Sequence, residues 1–214
     1  MLLIKDLYNY VDGFNNKIIV GDGVKANKMF SITFMENGAS VIVGKNTNLT
    51  DATIILGKNA SLTLGDNCIL KGKVSVGSFS SVVIGHNLDV TDNLYIRVVE
   101  ATSLHIGDGC LIASDVIIRT SDGHPIYDLT NGEHINKGRN IIIGRHVWLG
   151  DQVVILKGVT INDGGIIAMR SVVTKDVPAT SIVAGIPARV IRKNCTWEYS
   201  LTDHTAEYYR NASD

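Results

Sequence analysis

Aromatic side chains are scarce in this sequence. Of its 214 residues only 6% are aromatic (four Phe, two Trp, seven Tyr), although 45% are hydrophobic. Each Phe, Tyr or Trp buries roughly 150–250 Å², so a core built largely without them takes its bulk from Ile, Val and Leu. Proline numbers 3, against 21 glycines. β-Branched residues lose rotamer freedom in a helix and glycine costs backbone entropy there, so this mixture disfavours helix. The three cysteines have no paired spacing, which argues against a disulfide framework and a zinc site and makes a reducing cytoplasm the expected setting. No apolar run approaches the ~20 residues of a membrane span. The opening Met1-Leu-Leu-Ile-Lys-Asp lacks a positive stretch, an apolar stretch and a cleavage site in succession, so no signal peptide is expected.

A large charge of one sign is also missing. The net charge of −1 argues against general polyanion binding, nucleic acid included, but it averages over an uneven chain. Residues 1–136 carry ten Lys/Arg against fourteen Asp/Glu, residues 137–193 nine against three, and residues 194–214 one against four. The positive field therefore lies late in the chain.

What the chain has in abundance is a period of six. Aliphatic residues recur at Ile143, Leu149, Ile155, Ile161, Ile167 and Val173, and upstream at Leu64, Leu70, Val76, Val82, Leu88 and Leu94. Shorter runs are Val43, Leu49, Ile55 and Ile106, Ile112, Ile118. Six is a multiple of two but not of 3.6, so such residues stay on one side of an extended chain and would drift around a helix. Short strands bent at glycine or polar corners then wind into a three-sided coil, each turn stacked on the last at ~4.8 Å. A large aliphatic and a small residue fill each side, and rings have no room. Cys68 and Cys110 fall in the small inward slot, whereas Cys195 lies in the tail. The expected fold is all-β: a parallel β-helix over residues 40–193, an N-terminal cap with irregular first coils over 1–39, and a tail over 194–214. Trp197, Tyr199, Tyr208 and Tyr209 give that tail aromatics with which to pack on the prism or on a neighbour.

The hexads stop between Ile118 and Ile141. An excursion of that length (119–140) in a compact fold is usually functional or disordered. It carries His124 between Gly123 and Pro125. A loop histidine is ordinarily a solvated surface residue, but imidazole is also the side chain suited to moving a proton near neutral pH. Asp122 or a backbone carbonyl would orient it. Trp148 precedes the inward Leu149 and should point outward, as a subunit-interface anchor or as part of a site. His86, His105, His134 and His146 have no metal-ligand spacing and are expected at the surface or at coil corners.

Four stretches resemble one family: Ser121-Asp-Gly-His124-Pro-Ile, Ile141-Ile-Ile-Gly-Arg-His-Val-Trp148-Leu-Gly150, Val172-Val173-Thr174-Lys175-Asp176-Val177-Pro178 and Ala184-Gly-Ile-Pro187-Ala-Arg189-Val-Ile-Arg192. They are similar to the hexapeptide-repeat acetyltransferases, especially the O-acetyltransferases of capsular polysialic acid and of galactosides and maltose. That resemblance implies a left-handed parallel β-helix, acetyl-CoA as co-substrate, no metal, and a homotrimer with its active site between adjacent prisms. It implies His124 as general base, and Trp148 at the acyl group with its backbone N–H or indole near the developing oxyanion. Gly150, Asp151, Ala168, Met169, Arg170, Thr174, Lys175, Arg189 and Arg192 are implied as acetyl-CoA contacts, and Asn93 as an acceptor-side residue. Met169 departs from the small residues the family prefers there, and Asp92-Asn-Leu-Tyr95 departs from its acceptor motif. With no Ser or Cys beside His124, direct transfer is expected. The capsule group is preferred because its members lack a helical N-terminal domain. Xenobiotic acetyltransferases share the His and Trp motifs. From a different class, a non-catalytic β-helix scaffold would need neither the excursion nor its His-Pro motif.

Overall fold

Alternation along an extended chain puts every second side chain on the same side, and here that side is the interior of a prism. The computed structural model describes residues 1–202, so Tyr208 and Tyr209 lie outside the described residues. Twenty-two strands run from Leu2–Ile4 to Ala188–Lys193, with no helix among the described residues. They wind as a β-solenoid of about 7 turns.

Each turn visits three faces in order. The first face holds Lys17–Val20, Ser40–Val43, Ser61–Leu64, Ser81–Ile84, Ser103–Ile106, Ile141–Ile143 and Thr160–Ile161; the second holds Asp89–Val90, Leu111–Ile112, Trp148–Leu149, Ile166–Ile167 and Ser181–Gly185. The third holds Ser31–Phe34, Ala52–Leu56, Gly72–Val76, Leu94–Val98, Ile117–Arg119, Val154–Ile155 and Val172–Val173. Pairing between turns is parallel and in register, for example Val41 and Val43 with Leu62 and Leu64, then with Val82 and Ile84. The excursion does not disturb it: Leu104 and Ile106 pair directly with Ile141 and Ile143.

All six hexad residues from Ile143 to Val173 and all six from Leu64 to Leu94 are buried. Burying one such side chain contributes about 1.5–3 kcal/mol, and the column repeats it every few residues. Phe30 and Phe34, near the start of the prism, are the aromatics among the largest fully buried side chains. The hexad reading fails at Ile55, which faces outward and is half-buried while Ile54 and Leu56 are inside. The cause is one extra corner residue. Inward Leu49 precedes Ala52 by three positions, whereas Leu70 precedes its counterpart Gly72 by two. An odd insertion flips the alternation.

Corners turn through left-handed backbone, which favours glycine and is tolerated best by Asn and Asp. Asn46, Asn67 and Asn87 occupy that conformation in successive coils, and their carboxamides hydrogen-bond along the stack at 3.4 and 3.3 Å. His146 (φ 52°) takes it two coils on. Each end of the solenoid carries antiparallel strands that cover part of its edge. Leu2–Ile4 pairs with Ser31–Phe34, Tyr10–Val11 with Lys17–Val20, and Ser181–Gly185 with Ala188–Lys193. Such capping protects an edge from further pairing. The first residues thus hold two short strands, Leu2–Ile4 and Tyr10–Val11, and coil structure is already present from Lys17.

Candidate active site

The excursion leaves the corner between the third and first faces, and its neck closes where the Arg139 N–H donates to the Thr120 carbonyl at 2.9 Å. Two clasps bind it to the prism. Glu100 accepts from the Ser121 hydroxyl and, at 2.6 Å, from the Gly138 N–H. Those hydrogen bonds, Ser121 first, hold the Glu100 carboxyl below its usual range. Lys157, whose side chain is only 13% exposed, donates to Asp122 at 2.5 Å and to the Asn136 carbonyl at 2.6 Å. The Lys157 bond likewise lowers Asp122. Asp122 thus receives Lys157 and Asn136 on one oxygen, Oδ2, and no hydrogen bond joins it to the His124 ring among the described residues.

Asn136 is the centre of the loop. Its amide nitrogen donates to the His124 carbonyl and to Asp122, both at 2.9 Å, and its amide oxygen accepts from the Ile126 N–H at 2.6 Å. His134 completes the set at 2.9 Å from that oxygen. The carboxamide thus fills its hydrogen-bonding capacity while gripping the backbone on both sides of Pro125. Gly123 supplies the positive φ of 95° that the turn needs. The His124 ring is left exposed at the end of a held backbone. Asn136, Glu100 and Lys157 carried no signal in the hexads and were not anticipated.

Trp148 points outward from the second face, 38% exposed, as its place before Leu149 requires. Its backbone N–H donates to the Gly165 carbonyl at 3.0 Å. That bond belongs to the ladder between coils, so the backbone N–H is already engaged and the indole is the part of Trp148 left exposed. The C-terminal arm packs beside it. Trp197, 7% exposed, stacks on His146 (ring centroids 4.3 Å apart, 6° between planes) and lies 6.2 Å from Trp148. Its indole donates to the His146 carbonyl, and its own carbonyl contacts His146 Nε2, both at 2.9 Å. His146 is therefore at a coil corner, one of its two expected placements, but buried beneath Trp197 and not at the surface.

The expected acetyl-CoA residues are not gathered by one chain. Gly150, Asp151, Ala168, Met169 and Arg170 lie at the corner between the second and third faces, where Arg170 donates to Gln152 at 2.7 Å. Thr174 and Lys175 lie on the His124 corner. Arg189 and Arg192 are exposed on Ala188–Lys193 at the edge of the second face. Asn93 sits on the second–third corner with its amide donating to Asp115 at 2.6 Å, away from the His124 corner. His124 and Trp148 are themselves on opposite sides of the prism, a corner and the face across from it.

Near His124 the third face carries two arginines that the sequence reading missed. Arg97 and Arg119 are partners on neighbouring coils, and the Nε of each is buried with no hydrogen-bond partner. A buried unsatisfied donor costs about 1–3 kcal/mol, so this pair requires a reason.

No family model matches the chain. It is 38% identical over 149 residues to the galactoside O-acetyltransferase of Escherichia coli (strain K12), covering 69% of this chain and 68% of that one. Against the polysialic acid O-acetyltransferase of Neisseria meningitidis it is 36% identical over 148 residues, 68% of each chain. A polysialic acid O-acetyltransferase of Escherichia coli O1:K1 / APEC is 37% identical over 131 residues, which span 61% of this chain but only 42% of that relative's length. Crystal structures of the polysialic-acid-specific acetyltransferase NeuO and of the polysialic acid O-acetyltransferase OatWY superpose with TM-scores of 0.77 and 0.78 at 31% and 30% identity. Each covers 92% of this chain, and 84% and 90% of the respective neighbour. The chain belongs to the hexapeptide-repeat acetyltransferases, acyl-transferring enzymes built on a left-handed parallel β-helix.

Proposed function

We propose that this protein moves acetyl from acetyl-CoA to a hydroxyl of a sugar, sialic acid in a capsular polysaccharide, in the cytoplasm and without a metal. The acceptor class rests on the polysialic acid relatives. One observation carries the mechanism: the His124 backbone is gripped by Asn136 while its ring stands exposed. His124 takes the proton as the acceptor oxygen attacks the thioester carbonyl. The C–O bond forms, the C–S bond breaks, and the proton passes to the departing thiolate, leaving coenzyme A as the thiol. The Trp148 indole lines the acyl group. Burial pushes the Cys110 thiol up to about 12, and it also raises Cys68. Neither is an available nucleophile, which favours direct transfer over an acetyl-enzyme.

Two subunits are needed to bring His124 and Trp148 together, because one prism holds them on opposite sides. A homotrimer meets that need, with Lys175, Arg189 and Arg192 placed for the phosphates of acetyl-CoA and Thr174, Gly150, Asp151, Ala168, Met169 and Arg170 along the arm. The acceptor contact at Asn93 would come from a neighbouring subunit too. A smaller sugar or xenobiotic acceptor is the second reading, supported by the identity to a galactoside O-acetyltransferase. Measuring thiol release with sialic acid oligomers, galactosides and chloramphenicol separates these. His124→Ala should lower kcat at least ~10²-fold and leave acetyl-CoA affinity intact. Full activity in that variant rejects the mechanism.

A further inference from the structure

We propose that Arg97 and Arg119 form a carboxylate-binding site for an anionic sugar acceptor on the third face, beside the His124 corner. The proposal rests on the O-acetyltransfer reading above and adds the group by which the acceptor is recognised. Arg97 and Arg119 are Cα partners in parallel strands, so their side chains leave the same face one strand spacing apart, ~4.8 Å. Each is half-buried, and each Nε is shielded from solvent with no partner. Among the described residues no salt bridge reaches either guanidinium. The nearby carboxylates are engaged elsewhere, Glu100 by Ser121 and Gly138, Asp122 by Lys157 and Asn136.

Two like charges side by side and partly desolvated favour an anion; the field of Arg119 reaches Asp122, but that carboxylate is hydrogen-bonded to Lys157 and Asn136. A planar guanidinium matches a carboxylate with two parallel N–H···O bonds. The position fits the acceptor rather than a remote site. A Cβ on Gly123, the residue before His124, would lie 3.1 Å from Arg119 Nη2. Two residues back on the same side, Tyr95 is the partner of Lys73, which adds a third cation to the face. A sugar acid held there by its carboxylate presents neighbouring hydroxyls toward the His124 corner, and a polymer of sugar acids presents one carboxylate per unit.

Calorimetric titration tests binding independently of turnover. The probes are a sialic acid oligomer and the same oligomer with its carboxylates converted to neutral amides, added to the full chain and to the Arg97→Gln/Arg119→Gln variant. The wild type should bind the acid at least ~10-fold more tightly than the amide, and the variant should bind both alike. In turnover, the variant should raise the KM for the acid at least ~10-fold with the KM for acetyl-CoA unchanged. Equal wild-type affinity for acid and amide overturns the proposal. A raised acetyl-CoA KM overturns it too, by placing the pair on coenzyme A phosphates. So does a smaller particle in light scattering, by placing it against a partner subunit's carboxylate. Acetylation of neutral galactosides without any carboxylate preference defeats the arginine site alone. Carboxylate-dependent binding without thiol release from any sugar defeats the O-acetyltransfer reading alone.

Discussion

Asn136 shows how one carboxamide sets the geometry of a loop. It bonds the backbone at His124 and Ile126 and ties both to Asp122. Asn136→Ala should therefore leave the His124 ring chemically intact but badly held. Misplacement of a catalytic group by about 1 Å costs on the order of 10²-fold. Steady-state kinetics should show kcat down about 10- to 100-fold with the KM for acetyl-CoA unchanged; an unaltered kcat would mean that the turn holds itself. Arg97 and Arg119 make the complementary point. The sequence reading passed over both, and their missing partners appear only when coils are stacked.

At the scale of elements, the hexads were legible because alternation is local: an aliphatic side chain two, four or six positions along an extended strand meets the same interior. Even so, the extra corner residue before Ala52 moved Ile55 outside, since a corner's residue count is set by its turn and not by the apolar pattern. The excursion was legible as an interruption and His124 as its distinctive residue. Its clasps were not, because they join positions far apart, such as Glu100 with Gly138. These clasps make the loop acid-sensitive. Glu100 and Asp122 are held below their usual carboxylate range by Ser121 and Lys157 respectively. A lowered folded-state pKa means that the clasps contribute fully above the unfolded value of about 4 and lose their contribution as pH falls through the folded one. Hydrogen-exchange protection at Gly138 and Ile126 should thus persist at neutral pH and vanish below about pH 4, ahead of the amides of the hexad strands. Protection that is flat across this range would show that the charges do not hold the loop.

Across the whole molecule the three faces differ in character. The third carries arginines and the second carries the aromatic cluster. The first is nearly uncharged, with Ile19 (47% exposed), Val83 (41%) and Ile142 (48%) in one outward row with Ile42, Thr63, His105 and Thr160. A flat apolar row of this length is suited to burial against another copy. Ile142→Asp should accordingly shift the proposed homotrimer to monomer in light scattering and abolish turnover, because His124 and Trp148 sit on opposite sides of one prism. An active monomer would contradict both the assembly and the shared site.

The arm that brings Trp197 against Trp148 also has a timing. A ribosome lays down the coils in the order in which they stack, so each turn emerges onto a template already formed. The Trp148 position is synthesised 49 residues before Trp197 (197 − 148). Its aromatic neighbour, hydrogen-bonded to His146, arrives from outside the solenoid. The second-face surroundings of Trp148 are therefore finished only when the arm that follows the last strand, Ala188–Lys193, has folded back over it.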